Sequence, residues 1–365
     1  MFLKKASIVS ILTATALVMS VSAVSAATAV EAESTTNSVN VAPVNAESNL
    51  LADVDRVQWA NASRLIASKD TENGREDYLI NVHTGFYKKY NLEADASDLV
   101  VNPQGTAAAY TNAAGEIYLI SLETRFSYKL SSDTSIKPEL VWAADGKSLY
   151  YLQGDKGSVI CQISIPSGVI TKVLDDKVDY KANLGVSADG KTFTYTVTKP
   201  GAVVADANKP VENDDVTIDM KGTEPQLFSY TLKAAKPVQL TTTTDNKVFF
   251  VPAADGSRVA YVSVSADESA KSTVVSVSQD KKVTTLFDKA DVYEAESFGN
   301  GLIVFAAGEG DKQTIYEIDG SGNSKALYSV SADVTDVEAK DGSVAIVENG
   351  IVYVNANGQW KPVTR

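Results

Sequence analysis

From about residue 49 onward, apolar residues fall in short alternating runs that stop at Gly, Asn, Asp or Pro. Alternation with period two gives a strand one buried face, and the stops are turn chemistry. No stretch sustains the 3.6-residue period of an amphipathic helix. The pattern predicts an all-β chain of many short strands.

The runs also repeat. Trp142-Ala143-Ala144-Asp145-Gly146-Lys147-Ser148-Leu149-Tyr150-Tyr151, Val186-Ser187-Ala188-Asp189-Gly190-Lys191-Thr192-Phe193-Thr194-Tyr195 and Val251-Pro252-Ala253-Ala254-Asp255-Gly256-Ser257-Arg258-Val259-Ala260-Tyr261 share one plan. Each reads as strand, tight turn, strand, because Asp-Gly tolerates the positive φ of a hairpin turn. Val101-Asn102-Pro103-Gln104-Gly105 opens a further copy, and weaker copies begin at Trp59, Phe298 and Glu338. The turns fall at positions 63, 105, 146, 190, 256, 301 and 342, so the intervals are 42, 41, 44, 66, 45 and 41 residues. A four-stranded propeller blade takes about 40–50 residues. Third strands fit the same frame, at Asp77-Tyr78-Leu79-Ile80-Asn81-Val82, Glu116-Ile117-Tyr118-Leu119-Ile120 and Thr314-Ile315-Tyr316-Glu317-Ile318.

These observations predict a seven-bladed β-propeller of four-stranded antiparallel blades over residues 49–365, with one blade enlarged by an insertion at about 199–225. Six blades are the alternative, if a weak copy at 55–90 or 335–365 is shared through ring closure. Residues 49–53 are a candidate N-terminal strand for completing the last blade.

The turns resemble the TolB-like and prolyl-oligopeptidase-type, WD40-like β-propeller repeat, whose pattern is Ser-Pro-Asp-Gly-Lys followed by an apolar-x-aromatic strand. Residues 187–195 are the nearest copy; Ala144, Ala188 and Ala254 stand at the Pro position, which Pro103 alone keeps. The resemblance spans most of residues 50–365. It implies the fold strongly and the function weakly. No hydrolase domain follows the repeats, so peptidase activity is not expected. The sialidase Asp-box needs one more residue between Asp and Gly than residues 187–193 provide.

The N-terminus changes the picture of where the chain works. Lys4 and Lys5 precede an apolar stretch at 6–21, and Val24-Ser25-Ala26 supplies small residues for cleavage. Residues 1–26 read as a signal peptide and 27–48 as a flexible linker without aromatic residues. The chain is expected to be exported, secreted or associated with the cell envelope, without a membrane span and monomeric. The basic n-region and scarcity of cysteine fit a bacterial exported protein. A net charge of −13 in 365 residues argues against nucleic acid or anionic membrane surfaces as partners, because both repel such a protein.

Candidate chemistry is sparse. There is one cysteine, Cys161, in an apolar run, and one histidine, His83, at a strand end. Both read as structural. A multi-histidine metal site is impossible and no Gly-x-Ser-x-Gly elbow is present. The insertion carries Glu212, Asp214, Asp215 and Asp219. It reads as a solvated hairpin, a partner-binding protrusion or, with carboxylates gathered, a Ca²⁺ site; no other cofactor is expected. Further carboxylates cluster at Asp175, Asp176 and Asp179, and at Asp333 with Asp336, where blades hand over. Tyr118, Tyr150 and Tyr316 read as packing residues. The reading is a non-catalytic propeller that binds a protein or cell-envelope polymer. The alternative is a carbohydrate-active enzyme using carboxylates in the funnel.

Overall fold

A computed structural model describes residues 50–93, 95–204, 217–267, 269–299, 301–356 and 358–365. The export segment and the linker lie outside the described residues. Among those described, every regular element is a strand. The first blade is β1 (Arg56–Asn61), β2 (Arg64–Thr71), β3 (Gly74–Asn81) and β4 (Tyr87–Lys89). The second is β5 (Val100–Val101), β6 (Ala107–Thr111), β7 (Ile117–Ser121) and β8 (Ser127–Ser131). The third is β9 (Leu140–Trp142), β10 (Ser148–Gln153), β11 (Val159–Ser164) and β12 (Ile170–Leu174). The fourth starts with β13 (Lys181–Val186) and β14 (Thr192–Val197), leaves for a separate hairpin of β15 (Ala202–Val204) and β16 (Thr217–Asp219), and returns as β17 (Gln226–Thr231) and β18 (Val238–Gln239). The fifth is β19 (Asn246–Pro252), β20 (Arg258–Val264), β21 (Thr273–Ser278) and β22 (Val283–Phe287). The sixth is β23 (Val292–Phe298), β24 (Gly301–Ala307), β25 (Lys312–Ile318) and β26 (Ser324–Ser331). The seventh is β27 (Val334–Lys340), β28 (Ser343–Glu348), β29 (Ile351–Ala356) and β30 (Gln359–Pro362). All seven blades are antiparallel four-stranded sheets in chain order, as the repeat predicts.

The Asp-Gly turns work as their chemistry requires. Asp189 Oδ1 accepts from Lys191 N at 3.0 Å and from Ser187 Oγ at 2.7 Å, and Ser187 Oγ accepts from Thr192 N at 2.9 Å. Asp145 and Asp255 accept from Lys147 N and Ser257 N, each at 2.9 Å. Gly256 has φ +69°, and a Cβ there would lie 2.8 Å from the Thr192 Cβ of the preceding blade. The turn glycine therefore allows the hairpin and lets it press on its neighbour.

A blade cannot bury both faces alone, so the core lies between blades. Among the described residues there are seven apolar clusters, one for each pair of successive blades. Tyr150, Phe193 and Tyr195 join blades three and four, with Tyr150 and Phe193 ring centroids 5.0 Å apart. Cys161 is buried between blades two and three, and burial raises its thiol pKa.

Ring closure corrects one expectation. The seventh blade supplies all four of its own strands, so residues 49–53 do not complete it and the six-bladed alternative falls. Residues 51–54 instead run along the seam. Val54 N donates to Gly350 O and Arg365 N to Leu51 O, both at 2.9 Å. Leu51, Val54, Val57 and Trp59 pack with Ala345, Val347, Val352 and Val363. Two strands' worth of buried side chains close the ring where no strand is exchanged.

Candidate functional site

Antiparallel order fixes what each face of the ring carries. Strand one of each blade runs to the Asp-Gly hairpin and strand two runs back. One face therefore holds the first-to-second and third-to-fourth turns, here the turn face. The other holds the second-to-third loops and the crossovers between blades, here the crossover face.

The insertion leaves from the crossover face. Ala202, Val203 and Val204 pair with Asp219, Ile218 and Thr217 in a two-stranded ribbon that pairs with no blade. Glu212, Asp214 and Asp215 lie outside the described residues. Asp219 is exposed, and its Oδ1 accepts from Lys221 N at 2.9 Å, capping the turn that follows. Met220 beside it is 61% exposed.

Three crossovers on this face are sealed by lysines that sequence analysis did not single out. Lys137, Lys181 and Lys247 are buried at the entries to blades three, four and five. Lys137 Nζ donates to Gly115 O, Asp133 O and Ser135 O, each at 2.7 Å. Lys181 Nζ donates to Ser158 O at 2.7 Å, to Asp176 Oδ1 at 2.8 Å and to Val178 O. Lys247 Nζ donates to Asp245 O at 2.9 Å and lies 3.1 Å from Asp245 Oδ1. Each ammonium thus gathers loop carbonyls and one carboxylate, which is what lets a buried charge persist. Tyr151 and Tyr195 lie under Lys137 and Lys181, with Nζ 5.6 and 5.8 Å from the ring centroids. The available signal was an Asp two to five residues before a Lys at three blade entries, each answered by a second-strand Tyr.

The predicted Asp175 group belongs to this framework. Asp175 pairs with Lys172 and Lys177, whose hydrogen bonds hold its pKa down at about 2. Asp179 accepts from Ser158 Oγ at 2.7 Å. These carboxylates are occupied by their own loop.

The innermost strands pose a different problem. Strand one of every blade has a free edge toward the axis, with N–H groups lacking a ladder partner. Carboxylates of the preceding blade answer three of these edges. Glu139 accepts from Asn183 N and Leu184 N at 2.6 and 2.7 Å. Glu296 Oε2 accepts from Ala339 N at 3.0 Å, and Glu294 faces the N–H of Val337. Asp336 Oδ2 accepts from Val57 N at 2.8 Å, across the seam. Tryptophans answer carbonyls in the reverse direction: Trp142 Nε1 donates to Val100 O at 2.7 Å and Trp59 Nε1 to Glu338 O at 3.3 Å.

Glu294, Glu296, Asp336 and Glu338 alternate with buried Ala295 and Val337 along β23 and β27. Enclosure by the channel wall pushes Glu296 up to about 7 and Asp336 up to about 6. Glu338 is pushed up to about 10, by burial first and then by the charges of Glu296, Asp336 and Glu294. Glu294 is raised well above the carboxylate range for the same reasons. Asp336 was expected beside Asp333 on the loop face; it sits instead on the innermost strand, whereas Asp333 is exposed on the crossover. Sequence reasoning missed the three glutamates, since Val-Tyr-Glu-Ala-Glu-Ser-Phe reads as any half-solvated strand.

Among the described residues no three His, Cys, Asp or Glu side chains gather as a metal site. A cleft of about 290 Å³ opens by Ser97, Asp98 and Glu139, and another of about 380 Å³ by Arg258 and Asp319. Both are at the small end of ligand pockets, and Glu139 and Arg258 already hold backbone partners across blades.

No family model and no curated protein matches this chain by sequence. Solved structures do match by shape. The tricorn protease superposes with a TM-score of 0.60 at 10% identity, over 88% of this chain and 35% of that one. The acylaminoacyl peptidase of Pyrococcus horikoshii gives 0.59 at 12% identity, over 86% of this chain and 52% of that one. The β-propeller domain of the Trilobed protease from Pyrococcus furiosus, described as having an open velcro topology, gives 0.57 at 12%, over 86% and 97%. The chain thus spans about a third to a half of the two whole proteases and nearly all of the isolated propeller domain. At these identities the likeness defines one thing, a β-propeller of the architecture found in protease propeller domains.

Proposed function

We propose that this chain is an exported, non-catalytic, monomeric propeller that binds a protein or a cell-envelope polymer through its crossover face. The observation that carries this reading is the ribbon β15–β16, the single break in a seven-fold repeat, which leaves its blade and pairs only with itself. Extensions of this kind on a rigid scaffold are where recognition residues concentrate. The carboxylates that could serve a hydrolase are largely committed to backbone N–H groups of the neighbouring blade.

The test is capture from envelope fractions and culture medium by the intact exported protein and by a form lacking residues 202–222. The ends of β14 and β17 are direct partners at Val197 and Gln226, so the shortened loop still joins them. Capture lost with the deletion supports the reading; capture unchanged by it moves the site elsewhere. Capture abolished by a chelator would make Ca²⁺ at Glu212, Asp214, Asp215 and Asp219 part of the contact.

A carbohydrate-active enzyme is the second reading, favoured by one observation: Asp336 and Glu338 stand two apart on one face of the innermost strand β27, and burial and neighbouring carboxylates raise Glu338 further than Asp336. An acid held next to a base is the arrangement glycoside hydrolysis uses. Glycan hydrolysis by the purified protein, with no capture of any partner, would select it.

A further inference from the structure

The turn face, opposite the insertion, carries a pattern the proposed function leaves unused. In blades one, two and three the third-to-fourth turn is built the same way. Gly85 N donates to Asn81 O, Arg125 N to Ser121 O and Gly168 N to Ser164 O, at 2.8, 2.9 and 2.8 Å. These three donors sit at φ +70°, +61° and +69°. The next residue is thrown outward, and each time it is apolar: Phe86 is 62% exposed, Phe126 69% and Val169 57%. Blade four continues with Val238 and blade five with Val283, 44% and 55% exposed. Blades six and seven break the series with Ser321, Asn323, Gly358 and Gln359.

Single exposed apolar residues need no explanation, but five consecutive blades with apolar tips do. The tips neighbour one another: Arg125 Nη1 reaches Lys89 O of the first blade at 3.5 Å. The fold places all third-to-fourth turns on one side of the ring, so the five tips face the same way.

Charge narrows the partner. The same turns carry Lys88, Arg125, Lys233, Lys236, Lys281 and Lys282, against the acids Glu123 and Asp280. This is the reverse of the chain as a whole, with 33 basic and 46 acidic residues. Lys88 Nζ lies 5.4 Å from the Phe86 ring centroid, an apolar body with a cationic flank. The inner hairpins of the same face add the acids Asp145, Asp189 and Asp255, with Lys147 and Lys191 beside the first two, and the acids Asp319 and Asp341 fall on blades six and seven, outside the apolar series. Charges beyond about 8 Å are screened at physiological salt, so at contact the local cations outweigh the net charge.

We propose that the turn face is a peripheral docking surface for an anionic lipid bilayer. Phe86 and Phe126, with Val169, Val238 and Val283, enter the boundary between headgroups and acyl chains, and the lysines and Arg125 meet the phosphates. This surface is independent of the insertion, so either assignment can fail alone.

The test is co-sedimentation of the intact exported protein with phosphatidylglycerol–phosphatidylcholine vesicles and with pure phosphatidylcholine vesicles at about 0.15 M salt. Binding is expected to the anionic vesicles, with at least a tenfold loss for the double variant Phe86→Ser, Phe126→Ser. Both side chains are exposed, so the variant's melting temperature should match the parent's, and a second variant, Lys281→Glu with Lys282→Glu, should weaken binding to anionic vesicles more than to neutral ones. Absence of wild-type binding to anionic vesicles overturns the proposal, as does full binding by the Phe variant. Equal binding to neutral vesicles overturns the assignment of anionic headgroups. Capture of an envelope protein by the Phe tips, without vesicle binding, replaces the bilayer with a protein partner.

Discussion

Blades three to five and the sector from blade six across the seam to blade one answer unpaired backbone groups with opposite charges, lysines at the crossovers in the one and carboxylates on the innermost strands in the other, a device that blade three shares at Glu139. At the entries to blades three, four and five, buried lysines collect orphan carbonyls, and each brings its own aspartate. Between blades six, seven and one, carboxylates collect orphan N–H groups, and no buried cation accompanies them as a partner among the described residues. The first solution pairs each ammonium with a carboxylate and so carries little net charge of its own. The second accumulates like charges, so it relies on protons. The same backbone need, met by donor or by acceptor, makes one sector a rigid anchor and the other a titratable one.

Breaking the first solution should have the largest effect. Lys181→Met removes an ammonium while leaving Asp176 and two carbonyls behind. Losing one partner of a buried pair typically costs about 3–5 kcal/mol. Urea unfolding should show that loss; a change below about 1 kcal/mol would mean that the crossover reorganises or admits water.

The second solution predicts an inverted pH dependence. Glu296, Asp336 and Glu338 are raised in the folded state above their ordinary values. Their contribution is complete below those ordinary values and is lost as pH rises through about 6, about 7 and toward 10. Asp175 and Asp189, held down at about 2, act in the other direction and matter only as pH falls toward that value. Stability should therefore peak on the acid side of neutrality and fall by about 1–3 kcal/mol between pH 5 and 8, water in the channel moderating the effect. Glu338→Gln should flatten this slope and raise the melting temperature at pH 8. A slope unchanged by that substitution would place the titration elsewhere.

The smallest effect sharpens the comparison within the lysine sector. The Tyr151 hydroxyl is buried with no nitrogen or oxygen partner, only the weak acceptor sulfur of Cys161 beside it, and its ring lies under the Lys137 ammonium. Tyr151→Phe should be neutral or stabilise by up to about 1 kcal/mol, because it removes an unsatisfied group and keeps the ring. A loss of 2 kcal/mol would reveal that the hydroxyl does have a bonding role.

The contrast between sectors also explains what could be read from the chain. Asp145-Gly146, Asp189-Gly190 and Asp255-Gly256 announce blades because hairpin geometry demands those residues locally. Blade number, the enlarged fourth blade and strands such as β7 and β25 follow from such local rules. Lys181 in Asp-Tyr-Lys-Ala-Asn and Glu296 in Ala-Glu-Ser are different. Their burial depends on residues of another blade, Ser158 for Lys181, 23 positions back, and Ala339 for Glu296, 43 positions on. Period two marks one face of a strand as polar but does not distinguish a channel from open solvent. The ring closure was misread for the same reason: residues 49–53 read as a strand, and only the seam, with Val363 and Gly350 in place, leaves residues 50–53 no ladder to join.

The seam itself makes the ring indifferent to where its chain is cut. Each blade is complete in sequence order, and Leu51 and Arg365 are hydrogen-bonded to each other. A gene rearranged to start at the link before β9, with a short linker joining residues 365 and 50, would encode the same seven sheets in the same circular order. Such a circular permutant would move the insertion near the start of the chain and still join it to the same blade, so the recognition proposed for this scaffold would belong to the circle rather than to its ends.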